Sequence, residues 1–381
     1  MSESQRVTIL DVAERAGVHP GTVSRALSRP EKVAPATRAR VEAAAKDLGF
    51  VPNKAARGLI TGRTGNVAVI VPDITNPFFA SLVRSVEHAA RDVDLQVLLV
   101  DTGENRAEEV RAADELSHDV DGMIVMAPRR LHREMEVLGA TPTVFVNRPV
   151  QSRASVVLRS ADAAGEALQH LAGFGHRHLA YLGGPRSSWA AVERRDAVRR
   201  MSRTTGVAVT DVDVAAPTFE AAYDAAEQAV SSGATAVMAF NDQMALGVLA
   251  RLSALGVGVP EQISLVGCDD VPMAAMVAPA LTTIAMPVVE AGEAAVHLLG
   301  SAETVQLSGA LVIRASTGPA DQKDKKRGMP AACAGFGAVC STGSSDTLIC
   351  NSYRIKGARM RLNDIKVGSR LALSFGLVLL I

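Results

Sequence analysis

From Asn66 onward the chain alternates short apolar runs with amphipathic stretches, and this alternation constrains its fold more than any other feature. The first series of runs is Val67–Val71, Gln96–Val100, Gly122–Met126 and Thr143–Val146, with helical periodicity at 80–90, 105–118 and 131–138. The second is His178–Leu182, a weaker run at 207–214, Ala236–Phe240 and Ile263–Gly267, with helical patterns at 161–172, 191–201, 220–231 and 242–254. A strand that is apolar at every position has both faces buried, as in a parallel sheet covered by helices. Two such series predict two doubly wound α/β lobes. A ligand would lie between them, outside the carboxyl ends of the strands. The length of 381 residues exceeds one average domain, and 48% apolar with 3% aromatic residues suits an Ala/Val/Leu-rich α/β protein.

The residues ahead of this body read differently. Over Thr8–Leu27, Ile9, Val12 and Ala13 give a first short helix an apolar face, and Gly17 permits the positive φ of a sharp turn. Pro20 suits the first turn of a second helix, whose buried face is Val23, Ala26 and Leu27. His19, Pro20, Gly21, Thr22, Ser24 and Arg25 are left free to touch a partner. This is the pattern of a helix-turn-helix, whose second helix fits a DNA major groove. A third helix follows at 36–48, with Arg38 and Arg40 near its start.

Charge supports the division. Residues 1–62 hold ten Lys/Arg against six Asp/Glu, residues 63–318 twenty against thirty, and residues 319–381 ten against four. A basic head on an acidic body suits a nucleic-acid module attached to a domain with other work. Arg25 is the candidate base reader, because a guanidinium can take guanine O6 and N7 together, and Arg38 is a candidate phosphate contact.

Thr8–Gly62 resembles the DNA-binding headpiece of the LacI/GalR family of bacterial transcriptional regulators. The match rests on Ala13-x3-Gly17-Val18-x3-Thr22-Val23-Ser24-Arg25-x-Leu27, Thr37-Arg38-x-Arg40-Val41 and Leu48-Gly49-Phe50-x-Pro52-Asn53. Residues 65–318 resemble the same family's effector domain. Their markers include Val71–Phe79, Gly175–Pro185, Asn241–Gly247, Gly267–Asp270 and Leu281–Ile284. The resemblance implies a periplasmic-binding-protein-like fold, with chain crossings near 160, 286 and 312. It also implies a homodimer on a pseudo-palindromic operator, acting as a repressor of carbohydrate or sugar-acid use, with no cofactor. The expected domains are a headpiece at 1–50, a hinge helix at 51–64, the two-lobed domain at 65–318 and an atypical tail at 319–381.

Two departures from the family pattern concern DNA. Ser usually precedes Pro20 and caps the recognition helix; His19 is expected to be a poorer cap, and a phosphate or base contact instead. In the hinge, Asn53, Ala56 and Leu59 are implied DNA contacts, Leu59 as a wedge between base pairs or else a contact with the body. Gly58 lowers helix propensity there.

Candidate effector contacts sit at strand ends. Asp73, Asn76, Phe78 and Phe79 follow the first strand; the resemblance implies that the Phe pair packs on the effector, with helix-start core the other reading. Asn147 follows the fourth strand, and Arg194 aligns with the family's effector-clamping Arg. Trp189, expected in a loop, offers a face to a sugar ring or packs at the surface, and Phe219 could close the cleft. Asn241 and Asp269 end later strands; Asp242 is ranked below them as a helix cap. Arg159, where the family usually has part of an Asp-Asn pair, favours an acidic effector.

No Gly-rich phosphate loop, metal-spaced His/Cys cluster or nucleophile elbow argues for an enzyme. The absence of an apolar leader argues for the cytoplasm, and against the alternative, a solute-binding receptor of the same fold. The tail is charged at 321–327, and rich in Gly, Ser, Ala and Cys at 328–352, where disorder is expected. Residues 360–381 resemble the start of a methyl-accepting chemotaxis receptor. The eleven residues from Leu371 to Ile381 are too few to span a bilayer, so the tail reads as a remnant rather than a membrane tether.

Overall fold

The computed structural model describes residues 7–50, 63–129, 138–320, 352–355 and 358–361. By internal contacts the chain divides into residues 1–326 and 327–381.

The headpiece is three helices, α1 (Ile9–Ala16), α2 (Pro20–Ser28) and α3 (Pro35–Leu48), with a short 3-10 turn at Pro30–Lys32. Asp11 accepts from the Thr8 backbone N–H at 2.7 Å, which starts α1. Gly17, at φ 61, ends it in the left-handed conformation that the sharp turn requires. Each helix is too short to persist alone, so stability comes from packing. Val12, Ala13, Ala16, Val23, Ala26, Val41, Ala44 and Ala45 form one buried cluster.

The body has two parallel sheets. The first lobe holds β1 (Asn66–Val71), β2 (Gln96–Asp101), β3 (Gly122–Met126), β4 (Thr143–Val146), β5 (Ala154–Arg159) and β11 (Thr304–Ser308), in the order β11-β5-β4-β3-β1-β2. The second holds β6 (His178–Leu182), β7 (Ala208–Val212), β8 (Ala236–Ala239) and β9 (Ser264–Val266), in the order β7-β6-β8-β9. Each strand of β1, β3, β4 and β8 is buried almost throughout, as their unbroken apolar runs require. Strand β2 differs: it forms the sheet edge, and Leu98 and Leu99 are 37% and 44% exposed.

The helices that matter for the cleft are α4 (Pro77–Asp92), α5 (Arg106–Leu116), α6 (Ala161–Gly173), α7 (Trp189–Thr205), α8 (Phe219–Ser231) and α9 (Asp242–Ala254). Helix α9 lies hard against α8 at Gly247, where a Cβ would stand 2.2 Å from the Phe219 carbonyl oxygen. The helix expected at 131–138 lies outside the described residues up to 137.

Three crossings join the lobes, as the resemblance implies. The chain passes from β5 into α6, then back through β10 (Thr283–Ala285) to α10 (Val288–His297) and β11, and returns through β12 (Ala310–Val312). Strands β10 and β12 pair antiparallel. The returning segment is held in the second lobe by His176, whose ring bonds Thr235 Oγ1, Ser264 Oγ and the Gly318 carbonyl at 2.8–3.0 Å.

In the 327–381 unit, Ser352–Ile355 and Ala358–Arg361 pair antiparallel. That ladder was not expected from the sequence; the Gly/Ser-rich stretch and the chemoreceptor-like end lie mainly outside the described residues.

Candidate nucleic-acid interface and ligand cleft

On the headpiece, α2 begins at Pro20, which has no N–H to leave unpaired. His19 is a better cap than its residue type suggests. Its ring Nδ1 accepts the Gly21 backbone N–H at 3.1 Å, taking the role a Ser hydroxyl would have. His19 and Arg25 are exposed, while Pro20, Gly21, Thr22 and Ser24 are half-buried. Exposed Arg25 folds back along the first turn, its Nε donating to the Gly21 carbonyl at 3.1 Å. Arg38 is exposed on the first turns of α3, 3.4 Å from Glu42. Asn53, Ala56 and Leu59 lie outside the described residues. The described chain resumes just after them, where Thr64 and Gly65 donate to the Asp121 carboxylate at 2.6–3.0 Å.

Between the lobes is a narrow cavity, nearly closed, walled by the ends of strands from both sheets. From the first lobe come Asn76, Phe78, Phe79, Glu104, Ala127, Arg129 and Asn147; from the second come Ser188, Arg194, Pro217, Phe240, Asn241 and Asp269.

The apolar wall is built by α4. Asn76 caps that helix, its Oδ1 accepting the Phe78 N–H at 3.0 Å, and Phe78 and Phe79 follow edge to face at 5.1 Å. Asn147 stands at φ 61, a left-handed conformation that asparagine tolerates better than most residues. Its side-chain Oδ1 is buried without a hydrogen-bond partner. Buried acceptors are nearly always paired, so this one is suited to a ligand donor.

Across the cavity Arg194 is buried and held on three sides. Its Nε donates to Ser160 Oγ at 2.7 Å, one Nη donates to the Phe240 carbonyl, and the guanidinium lies 4.7 Å over the Phe240 ring. Its other Nη is 3.9 Å from Asp269 Oδ1. Burial pushes the Asp269 carboxyl up to about 8, with Arg194 pulling the other way. The protonated carboxyl can therefore offer a hydrogen bond as well as accept one.

Glu104 and Arg129 were missed by the sequence reading. The Arg129 fork binds Glu104 through two hydrogen bonds of 2.7 and 2.5 Å and is almost wholly buried. Arg129 follows β3 as Asn147 follows β4, so the strand-end rule applied to β3 would have found it. The next lobe-to-lobe contact is Arg148, whose Nη1 donates to the Pro128 carbonyl at 2.9 Å and to the Ser187 carbonyl at 3.3 Å.

Several expected contacts stand elsewhere. The Asp73 carboxylate accepts from Thr75 N and Oγ1 at 2.8 and 2.6 Å, closing a turn beside the cavity rather than lining it. Trp189 is the first residue of α7, half-buried, and not a loop residue over the ligand. Phe219 starts α8, stacks on Tyr223, and lines an apolar groove with Leu246 and Leu249. Arg159 is engaged by Glu193 at 3.0 Å and does not line the cavity, which removes the argument from this residue for an acidic ligand. The capping roles of Asn241 and Asp242 are exchanged. Asn241 Oδ1 caps α9 through the Met244 N–H at 2.8 Å, and its amide donates to the Pro217 carbonyl. Asp242 is buried behind the wall, accepting from Val271 N at 2.9 Å and Thr283 Oγ1 at 2.5 Å.

Among the described residues no group of His, Cys, Asp and Glu is placed to hold a metal ion, and no helix is long and apolar enough to cross a membrane.

Comparison with known proteins matches both parts. Residues 8–53 match the family described as bacterial regulatory proteins, lacI family, and residues 168–317 match a periplasmic binding protein-like domain. The HTH-type transcriptional repressor CytR of Escherichia coli is 33% identical over 301 residues, 77% of this chain and 88% of that protein. The Lac repressor dimer bound to operator and the anti-inducer ONPF superposes with a TM-score of 0.74 at 26% identity, over 82% of this chain and all of that one. The transcriptional regulator CelR in complex with cellobiose superposes with a TM-score of 0.60 at 29% identity, over the same shares. With headpiece and body both matched, the chain belongs to the LacI family of bacterial transcriptional regulators.

Proposed function

We propose that this regulator is a homodimeric repressor that binds a pseudo-palindromic operator and is controlled by a small hydroxylated effector, a sugar or sugar acid, in the interlobe cavity. The observation that carries the effector reading is the unpaired Asn147 Oδ1, buried in a cavity whose other walls are Phe78, Phe79, Arg129 and Arg194. Aromatic faces pack against the apolar side of a sugar ring, and the convergent polar groups fix its hydroxyls. The cellobiose complex of the superposed regulator CelR supports a carbohydrate ligand.

A second copy would cover apolar surface. Leu246, Leu249, Val257, Val259, Met273 and Val277 line a groove on the second lobe, and Met276 beside Met273 is 77% exposed. Two copies would present two recognition helices to two half-sites. Asn53, Ala56 and Leu59 would then meet the centre of the operator, Leu59 as the wedge.

Effector control requires that the ligand bind the open and closed lobes with different affinity. Asn147 faces the cavity and its neighbour Arg148 ties the lobes together, so a ligand seated on Asn147 acts directly at the clasp. The protein works in the cytoplasm, without catalysis, and residues 319–381 take no part in regulation. A thermal-shift screen of the full chain against neutral sugars, sugar acids and nucleobases tests the effector class. Stabilisation by a sugar is expected; tight purine binding with no sugar response would overturn it.

A further inference from the structure

The recognition helix is poor in reading groups. Pro20 and Gly21 carry no polar side-chain atom, and Arg25 reaches back over the same first turn. The exposed group standing beside that turn is His19. Its Nδ1 is committed as acceptor to the Gly21 N–H. In the neutral ring the proton is therefore on Nε2, and the edge left to a partner is a donor only. Gly21 belongs to the same arrangement: a Cβ there would come 3.3 Å from Nδ1 and press on the ring.

Beside the half-buried Thr22 hydroxyl, the first turn thus offers the Nε2–H of exposed His19 and the Nη groups of exposed Arg25, donors in both cases. In the major groove, guanine presents two adjacent acceptors, N7 and O6, so a lone N–H there meets no opposing donor, whereas the N6 amino group beside adenine N7 is itself a donor and repels it. We infer that His19 is a base-reading residue, which reads a guanine in each half-site distinct from the one taken by Arg25. The cap bond performs two tasks at once: it starts the helix and fixes the tautomer that reads. This inference rests on the DNA-reading function proposed above.

The test is selection of binding sites from a randomised duplex pool by the full chain, as wild type and as His19→Ser. Serine keeps a capping oxygen and removes the donor. The expected result is loss of guanine preference at one position per half-site, with about fivefold weaker binding to the wild-type operator, the scale of one hydrogen bond. The melting temperature should not change. A 7-deazaguanine at that position reads the same contact without mutation: it should weaken the wild type and leave His19→Ser unaffected. Two results overturn the inference while leaving the function intact. One is an unchanged motif for His19→Ser. The other is uniform weakening on all sequences with a shallower salt dependence, which marks a phosphate contact. Failure of the wild-type chain to select any sequence overturns the DNA-reading function and this inference with it.

Discussion

Asp242 gives the sharpest stability prediction. It is fully buried, and its two oxygens tie the start of α9 to the Val271 loop and to Thr283 on the crossing strand. Burial pushes its carboxyl from the ordinary 3.8 up to about 6, outweighing those two hydrogen bonds. Between these pH values the native chain holds a proton that the unfolded chain has released, so stability falls as pH rises through the window. The gap is worth roughly 3 kcal/mol in all, about half of it between pH 5 and pH 8. Asp242→Asn cannot ionise, yet its amide can still accept from Val271 N and donate to the Thr283 hydroxyl. Relative to wild type, the Asp242→Asn variant should therefore gain on the order of 1–2 kcal/mol on going from pH 5 to pH 8. Asp269 titrates in both proteins, and because the Asp242 charge helps to raise it, losing that charge shifts the difference in the same direction. Urea unfolding followed by circular dichroism at the two pH values measures it. A difference between the two proteins that is the same at pH 5 and pH 8 would mean that Asp242 holds no extra proton in the native chain.

Other expectations follow from single contacts. Arg25→Ala should flatten sequence preference, whereas Arg38→Ala should weaken all duplexes roughly equally and lower the salt slope; identical behaviour would erase the division between base and phosphate contacts. Arg148→Ala removes the clasp to Ser187, so the unliganded protein should show a larger radius of gyration by small-angle scattering and a weaker effector affinity. Removing residues 327–381 should leave operator affinity within about twofold in a fluorescence-anisotropy titration; a large loss would give the tail a regulatory role.

How far the sequence could be read depended on whether a residue's partners were local. Strands β1, β3, β4 and β8 were legible because each is apolar and buried along its length. The same rule misplaces β2, whose apolar Leu98 and Leu99 look like core but sit on an exposed edge. The headpiece turn was legible because Gly17 and Pro20 act within their own segment. The aromatic contacts were less so: Trp189 and Phe219 each begin a helix, and which way they face depends on packing against distant segments. Glu104 and Arg129 form a pair across 25 residues, and Arg159 finds Glu193 only in the folded chain. The capping by His19 needed the ring's orientation, which residue type does not give.

A chain that reads DNA with its headpiece and is controlled through its cleft must couple the two sites. The most direct test is operator affinity, measured by anisotropy on a selected site, with and without the effector found by thermal shift, for wild type and Asn147→Ala. The effector should change wild-type affinity by about fivefold or more, and Asn147→Ala should keep the unliganded affinity while losing most of the response. An effector that binds the wild-type chain tightly and leaves its operator affinity unchanged would contradict that coupling.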